Sequence, residues 1–218
     1  MKIHFVLSGE GTSDLNLVNH IQEILIEEGF SEVSGEAPDL SLFRPPIGRS
    51  VGDKLGALQK YHPHADLIFM HRDADNIGSI RREQEILAAA GEANVTEKII
   101  PIIPVTELET WLLTDHEAIK RIAGNRRYQG DINCIPELNR LEDILDAKTT
   151  LLDALCEASQ VQGRSLRKFR KCFPEMRSRL TNELDPQGPV SRLASYQRFR
   201  AKIAEFSRRK LVNLTGDR

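Results

Sequence analysis

The pattern at the start of the chain, a strand followed by a turn and a helix, constrains the fold most. The apolar residues 3–7 predict a strand, and residues 8–12 predict a turn because they include two glycines. Apolar residues then recur at helical spacing between Leu15 and Leu25, and Gly29 is expected to end that helix. A strand that leads directly into a helix is typical of an α/β protein.

The same alternation continues over the first half of the chain. Residues 66–71 and 98–103 are apolar runs that predict strands, with helices expected at 51–61 and 79–90. A loop with a short strand near residues 40–43 is expected before them. Pro101 lacks a backbone donor, which favours an edge position for its strand. The alternation predicts an α/β fold with a mostly parallel sheet, right-handed crossovers and flanking helices.

The second half of the chain shows no strong strand pattern. We expect an α/β domain at residues 1–125 and a helical carboxyl-terminal extension at 126–218, packed on it. The expected helices are separated by turns, one of them at Pro174. Their patterns fall at residues 118–123, 151–158, 166–173 and 190–206.

The composition narrows the functional classes. The chain has 218 residues and a formal net charge of −2, so binding of nucleic acid requires a local cluster of Lys and Arg. The three cysteines are far apart, which argues against a zinc site. Their odd number and the strand pattern in place of a signal sequence predict a cytoplasmic protein. No apolar run is long enough to cross a membrane, so no membrane partner is expected.

Acidic residues follow three of the predicted strands. Glu10 lies in the first turn, Asp73 and Asp75 follow the strand at residues 66–71, and Glu107 and Glu109 follow the strand at 98–103. The carboxyl ends of parallel strands meet at one edge of a sheet, where ligands bind in α/β proteins. Clustered carboxylates repel one another unless a cation is bound, and oxygen ligands favour Mg²⁺ or Mn²⁺. The pattern therefore predicts a site for metal-assisted phosphodiester chemistry.

These residues resemble the signature of the Toprim domain of topoisomerases, primases and overcoming-lysogenization-defect nucleases. The likeness rests on Glu10 followed by Gly11, and on Asp73-Ala74-Asp75 after an apolar strand. A further segment from residue 104 to residue 113 reads Pro-Val-Thr-Glu-Leu-Glu-Thr-Trp-Leu-Leu. It is similar to a segment of uncharacterised bacterial Toprim-like proteins. The resemblance covers about the first half of the chain and implies a Toprim or Rossmann-like sheet.

The resemblance also implies roles for the matching residues. Glu10 would act as general acid/base or as a metal ligand, Asp73 and Asp75 would bind Mg²⁺, and Glu109 would complete the metal site. Asp14 stands where many relatives have a glutamate, which keeps the charge but shortens the reach. Many relatives are encoded in anti-phage defence loci beside an ATPase, so the resemblance implies an ATPase partner protein.

Four basic residues are expected near this edge of the sheet and are candidates for binding substrate phosphates. The alternative is that they balance the acidic residues. They are Arg44, Arg49, Lys54 and Arg72.

Three neighbouring residues have simpler interpretations beside the functional ones. His71 is more easily explained as a satisfied, half-buried histidine than as a proton shuttle. Glu107 is suited to the amino terminus of a helix, and the spacing of two between it and Glu109 predicts that at most one of them faces the site unless the helix begins later. Trp111 is expected to be a core anchor between the sheet and the helical extension, with base stacking as the alternative.

The leading hypothesis is a Mg²⁺-dependent nuclease, a metal-dependent endonuclease that cleaves DNA or RNA. The alternative is a non-catalytic regulatory or docking subunit of a complex that contains an ATPase. Phosphoryl or nucleotidyl transfer is disfavoured because the turn at residues 9–13 lacks the lysine of a GxxxxGK loop. The sequence does not determine the oligomeric state, and a homo-oligomer is possible.

Overall fold

The computed structural model describes residues 1–125 and 127–212 and contains a parallel four-stranded sheet. The strands are β1 (Lys2–Ser8), β2 (Glu32–Glu36), β3 (Leu67–His71) and β4 (Ile99–Ile102), in the spatial order β2-β1-β3-β4. All three pairings are parallel. The predicted α/β class with a parallel sheet is thus confirmed. The edge position expected from Pro101 is confirmed too, because β4 pairs only with β3 within the described residues.

Strands β1, β3 and β4 bury both of their faces, because side chains alternate between the two sides of a sheet. Phe5 and Phe69 point to one side, where their ring centroids lie 5.3 Å apart. Val6 and Ile68 are register partners that point to the other side. Parallel strands covered on both faces read as continuous apolar runs, which explains why β1 and β3 are evident in the sequence.

Helices cover the two faces of the sheet. The helices of the first half are α1 (Leu17–Glu27), α2 (Val51–Tyr61), α3 (Ser79–Glu92), α4 (Glu109–Leu112) and α5 (His116–Ile122). Those of the second half are α6 (Ala147–Ser159), α7 (Gly163–Lys171), α8 (Phe173–Asn182) and α9 (Ala194–Val212). Helices α2 and α3 pack on the Val6 face, and α1 packs on the Phe5 face together with helices of the second half.

One hydrophobic core joins the sheet to the helices that follow residue 126. Trp111 is fully buried, and its ring stacks on Phe199 of α9 and meets Tyr196 edge-on. Its Nε1 donates a hydrogen bond of 2.8 Å to Ser195 Oγ. The expected role of Trp111 as a core anchor is confirmed. The division of the chain at residue 125 stays a prediction.

Two predicted elements are wrong in position. The strand expected near residues 40–43 is a short 3₁₀ turn, Leu40–Leu42, and the second strand of the sheet is β2. The sequence of β2, Glu-Val-Ser-Gly-Glu, is short and mostly polar because only Val33 is buried in it. The turn expected at Pro174 is wrong as well, since this proline lies in the first turn of α8. Proline is tolerated there because backbone N–H groups in the first turn of a helix make no hydrogen bond within the helix.

No helix among the described residues combines the length and the apolar character needed to span a membrane.

Gly35 tests the packing of β2 on β1. A Cβ at this position would lie 2.2 Å from Phe5 Cζ, and Phe5 is fully buried. We expect Gly35→Ala to lower the free energy of unfolding by about 1–3 kcal/mol because the Phe5 ring must move within a close-packed core. Gly56→Ala is the matched control: it lies inside α2 with open space around its Cβ, so it should stabilise by about 0.5–1 kcal/mol. Chemical denaturation of both variants measures this, and equal stabilities would contradict the packing described.

Candidate functional site

Two cavities lie at the carboxyl-terminal edge of the sheet, and Glu10 and Gly11 line both of them. The first, here called the basic cavity, has a volume of about 500 Å³ and contains Arg49, Lys54 and Arg72 in its lining. The second, called the acidic cavity, has a volume of about 260 Å³. Its acidic lining residues are Glu10, Asp14, Asp73, Glu107 and Glu109.

Asp14 organises the turn between β1 and α1. Its Oδ2 accepts hydrogen bonds from the backbone N–H of Glu10, at 3.1 Å, and of Gly11, at 2.9 Å. Only 3% of Asp14 is exposed. Gly9 allows the turn to close, because a Cβ there would lie 2.9 Å from Asp14 Cβ. The backbone of the turn, and with it the position of Glu10, therefore depends on a buried carboxylate.

His71, the last residue of β3, lies between two carboxylates. Its Nδ1 is 3.3 Å from Asp14 Oδ2, and its Nε2 is 3.3 Å from Asp73 Oδ1. Both contacts are longer and less well aligned than a good hydrogen bond. Burial by itself lowers the pKa of His71, but Asp14 and Asp73 outweigh it and raise the pKa to about 10. His71 is therefore a buried cation at neutral pH. It is neither the half-buried histidine nor the proton shuttle that the sequence suggested.

Arg177 of α8 holds two of the buried carboxylates. Its Nη2 donates to Asp14 Oδ1 at 2.9 Å, and its Nε donates to Glu109 Oε1 at 2.6 Å. Its Nη1 also donates to Ser13 Oγ. Burial tends to raise the pKa of Asp14, but His71 and Arg177 hold it well below its usual range. This buried network of His71, Asp14, Arg177 and Glu109 is called the charge network below.

Asp73 and Glu107 are the carboxylates best placed for a metal ion in the acidic cavity. Asp73 Oδ1 accepts from the backbone N–H of Leu108 at 3.0 Å, and Glu107 Oε2 accepts from that of Lys148 at 3.0 Å. Burial raises the pKa of Glu107, and the charges of Glu109 and Asp73 raise it further. The raised pKa of Glu107 reflects the negative groups around it, which a bound cation would offset.

These residues fit Mg²⁺ only in a limited sense. Within residues 1–125 and 127–212, no three His, Cys, Asp or Glu side chains are grouped closely enough to form a complete metal site. Mg²⁺ keeps several waters and often takes only one or two carboxylates together with substrate phosphates. Asp73 and Glu107 meet that smaller requirement, whereas Glu109 directs both oxygens towards Arg177.

The basic cavity is lined by cations of different accessibility. Lys54 Nζ donates to the backbone carbonyl of Gly9 at 2.8 Å, and burial lowers the pKa of Lys54. Arg72 Nε lies 2.6 Å from Glu10 Oε1, and Arg72 Nη1 lies 3.3 Å from Glu85. Arg49 is exposed at the rim.

The structure brings together most, but not all, of the residues predicted from sequence. Glu10, Asp73 and Glu109 line the acidic cavity, and Glu107 lines it as well because α4 begins only at Glu109. The expectation that at most one of the two glutamates faces the site excepted a helix that begins later, and α4 does begin only at Glu109. Asp75 lies outside both cavities, with its carboxylate 3.0 Å from Arg82 Nη2, so its role as a ligand stays a prediction. Arg44 also lies outside both cavities.

Sequence reasoning missed Arg177 altogether and gave Asp14 and His71 minor roles. Arg177 is 163 residues from Asp14 in sequence. Its helix, α8, was not predicted because Pro174 was interpreted as a turn. His71 had a usable signal, because a histidine at the end of a buried strand beside Asp73 needs polar partners.

Comparisons with known proteins do not extend this description: no family model, curated protein or solved structure matches the chain.

Replacing Arg177 with methionine tests the charge network. The variant keeps a similar side-chain length but leaves Glu109 without its cation and Asp14 with His71 alone, so we expect a loss of about 3–5 kcal/mol in the free energy of unfolding. Arg179→Met on the same helix is the control, because Arg179 is exposed, and it should change stability by less than about 0.5 kcal/mol. Urea denaturation at neutral pH measures both, and equal effects would contradict a structural role for Arg177.

The raised pKa of His71 predicts a loss of stability at alkaline pH. The folded state binds this proton more tightly than the unfolded state, so the contribution of His71 is complete below about pH 6.5 and is lost progressively up to about pH 10. Between those values the free energy of unfolding should fall by up to about 1.4 kcal/mol per pH unit more in the wild type than in His71→Gln.

Exposed His64 supplies the control, and His64→Gln should keep the wild-type pH dependence. Denaturant titrations at pH 6, 8 and 10 provide the comparison. Parallel pH profiles for the wild type and His71→Gln would show that His71 is not a buried cation.

Proposed function

We propose that this protein is a Mg²⁺-dependent nuclease that hydrolyses phosphodiester bonds of DNA or RNA. The observation that supports this most is the shared position of Glu10, where a cavity lined by carboxylates meets a cavity lined by arginine and lysine. Phosphodiester hydrolysis needs both environments side by side: carboxylates for a metal ion and a base, and cations for the phosphates of the substrate.

On the acidic side, Asp73 and Glu107 would hold Mg²⁺. When bound, the ion supplies charge stabilisation at the phosphate and orients the reacting groups. Asp73 is fixed for this task by the backbone N–H of Leu108 and by the charge of His71. Glu107 is fixed by the backbone N–H of Lys148 at the start of α6. These backbone contacts use Oδ1 of Asp73 and Oε2 of Glu107, which leaves the second oxygen of each carboxylate for the ion.

Glu10 is the residue we assign to proton transfer. Its side chain is about 31% exposed, so water and substrate reach it. Oε1 faces Arg72 Nε, and we therefore assign Oε2 as the atom that accepts a proton from the attacking water. The turn that carries Glu10 is fixed by Asp14 on one side and by Lys54 on the other. A base held by its backbone in this way can act without a large conformational change.

A second candidate function is a non-catalytic subunit that docks on a partner, such as an ATPase. It is favoured by the arginines, because Arg177 pairs with both Asp14 and Glu109, and Arg72 pairs with Glu10. A carboxylate cluster already neutralised by arginines has less need of a metal ion. Under this alternative the charge network would be purely structural.

Two substitutions separate these functions. Glu10→Gln removes the proposed base, and Asp73→Asn removes a charged metal ligand, while both keep the size of the side chain. We expect each to reduce Mg²⁺-dependent cleavage of labelled DNA or RNA by about 10²–10⁴-fold. Cleavage by the wild type should also cease when EDTA is added and return with Mg²⁺ or Mn²⁺.

Glu92→Gln is the matched control, because Glu92 is exposed at the end of α3, away from both cavities. It should retain wild-type activity, and thermal unfolding of all three variants should show that they are folded. Wild-type activity in both Glu10→Gln and Asp73→Asn would refute the nuclease mechanism. A wild-type protein that cleaves nothing with either metal, but co-purifies with a partner, would favour the docking function.

A further inference from the structure

The basic cavity has the size of a small-molecule site. Its volume of about 500 Å³ lies within the range of about 300–1,000 Å³ that is typical of such sites. It is too small for a base pair with both of its backbones. Whatever it binds must therefore be a small molecule or a single unit of a larger one.

The wall of the cavity includes the hydroxyl of Ser8, which has no hydrogen-bond partner among the described residues. Ser8, the last residue of β1, belongs to the lining and is 1% exposed. Its Oγ has no hydrogen-bond partner among the described residues. A buried hydroxyl without a partner costs about 1–3 kcal/mol, so this atom is suited to meet a polar ligand.

The cations of the cavity lie beside the start of a helix. Helix α2 begins at Val51, next to Gly48 and Arg49 of the lining, and Lys54 follows in its first turn. The amino terminus of this 11-residue helix adds a positive potential to these two side chains, which is reduced because Ser50 caps the helix and Asp53 lies in its first turn. A phosphate group is the anion that best uses a helix terminus together with Lys and Arg.

Part of the remaining wall is apolar, although Glu10, Thr12, Asp39 and Ser41 also line the cavity. The apolar part is formed by Leu15, Pro38, Leu40 and Ile47. A free inorganic phosphate has no use for such a surface. A ligand that combines a phosphate with a flat apolar group uses both parts of the cavity.

We propose that the basic cavity binds one unpaired nucleotide, with its phosphate at Lys54 and Arg49 and its base against the apolar wall. Recognition of single unpaired nucleotides by pockets of this kind is a common way for proteins to select unpaired strands. The inference rests on the proposed function, since it takes the ligand to be part of a nucleic acid. It adds that the substrate is single-stranded or locally unpaired next to Glu10.

The binding step can be tested without cleavage. Asp73→Asn protein in EDTA is titrated by calorimetry with a nucleoside 5′-monophosphate, the corresponding nucleoside and inorganic phosphate. We expect the monophosphate to bind at least about tenfold more tightly than either fragment. Lys54→Ala and Arg49→Ala should each weaken that binding by about tenfold or more.

Lys60→Ala is the control, because Lys60 lies at the other end of α2 and outside the lining. Arg49 is exposed, so its variant keeps the test valid if Lys54→Ala, which loses a contact to Gly9, fails to fold. The inference is overturned if the monophosphate does not bind, if phosphate alone binds equally well, or if Arg49→Ala binds like Lys60→Ala.

Competition with oligonucleotides identifies the source of the unpaired unit. A closed circular single strand that displaces the monophosphate indicates an internal nucleotide, and displacement only by linear strands indicates a strand end; either result supports the inference. Equal displacement by a blunt duplex would contradict it. If the wild type binds the monophosphate but has no nuclease activity, the nucleotide site is supported and the proposed function fails. If the wild type is an active nuclease but does not bind the monophosphate, the proposed function stands and the nucleotide site is refuted.

Discussion

The contact between Arg177 and the two carboxylates of Asp14 and Glu109 is the interaction on which the rest of the site depends. Buried charges are costly unless they are paired and hydrogen-bonded, and here each partner comes from a different part of the chain. Asp14 fixes the turn after β1, Glu109 begins α4, and Arg177 belongs to α8. The contact therefore fastens the helices of the second half to the edge of the sheet, where both cavities open.

The same network divides the acidic residues into two groups. Asp14 and Glu109 are buried and paired with Arg177, so they serve mainly to hold the structure. Asp73, Glu107 and Glu10 retain access to a cavity and are the residues available for chemistry. A sheet edge that concentrates negative charge needs such a division, because carboxylates that all faced one cavity without a cation would repel one another.

The pattern of the sequence was sufficient for the parts of the structure that depend on local periodicity. β1 and β3 are buried on both faces and are therefore continuous apolar runs, and their ends brought Glu10 and Asp73 to one edge as predicted. β2 was not predictable in this way, since a short edge strand with one buried residue carries little apolar signal.

The site itself was only partly predictable, for two physical reasons. Asp75 is two residues from Asp73, but its backbone is left-handed, with φ of 45°, and its carboxylate pairs with Arg82 outside the cavity. Arg177 reaches the site from a helix whose Pro174 resembles a turn signal, and contacts across more than 160 residues leave no trace in local sequence. Pairing with arginines thus decides which of the predicted carboxylates stay available to bind a metal ion.

The most direct test of this account is a crystal structure of the wild-type protein soaked in Mn²⁺, with the metal located by its anomalous scattering. The account predicts Mn²⁺ in the acidic cavity, bound by Asp73 and Glu107 and by waters, while Arg177 keeps its contacts with Asp14 and Glu109. An acidic cavity without Mn²⁺ at saturating concentration, or Mn²⁺ bound at Asp75 instead, would contradict it.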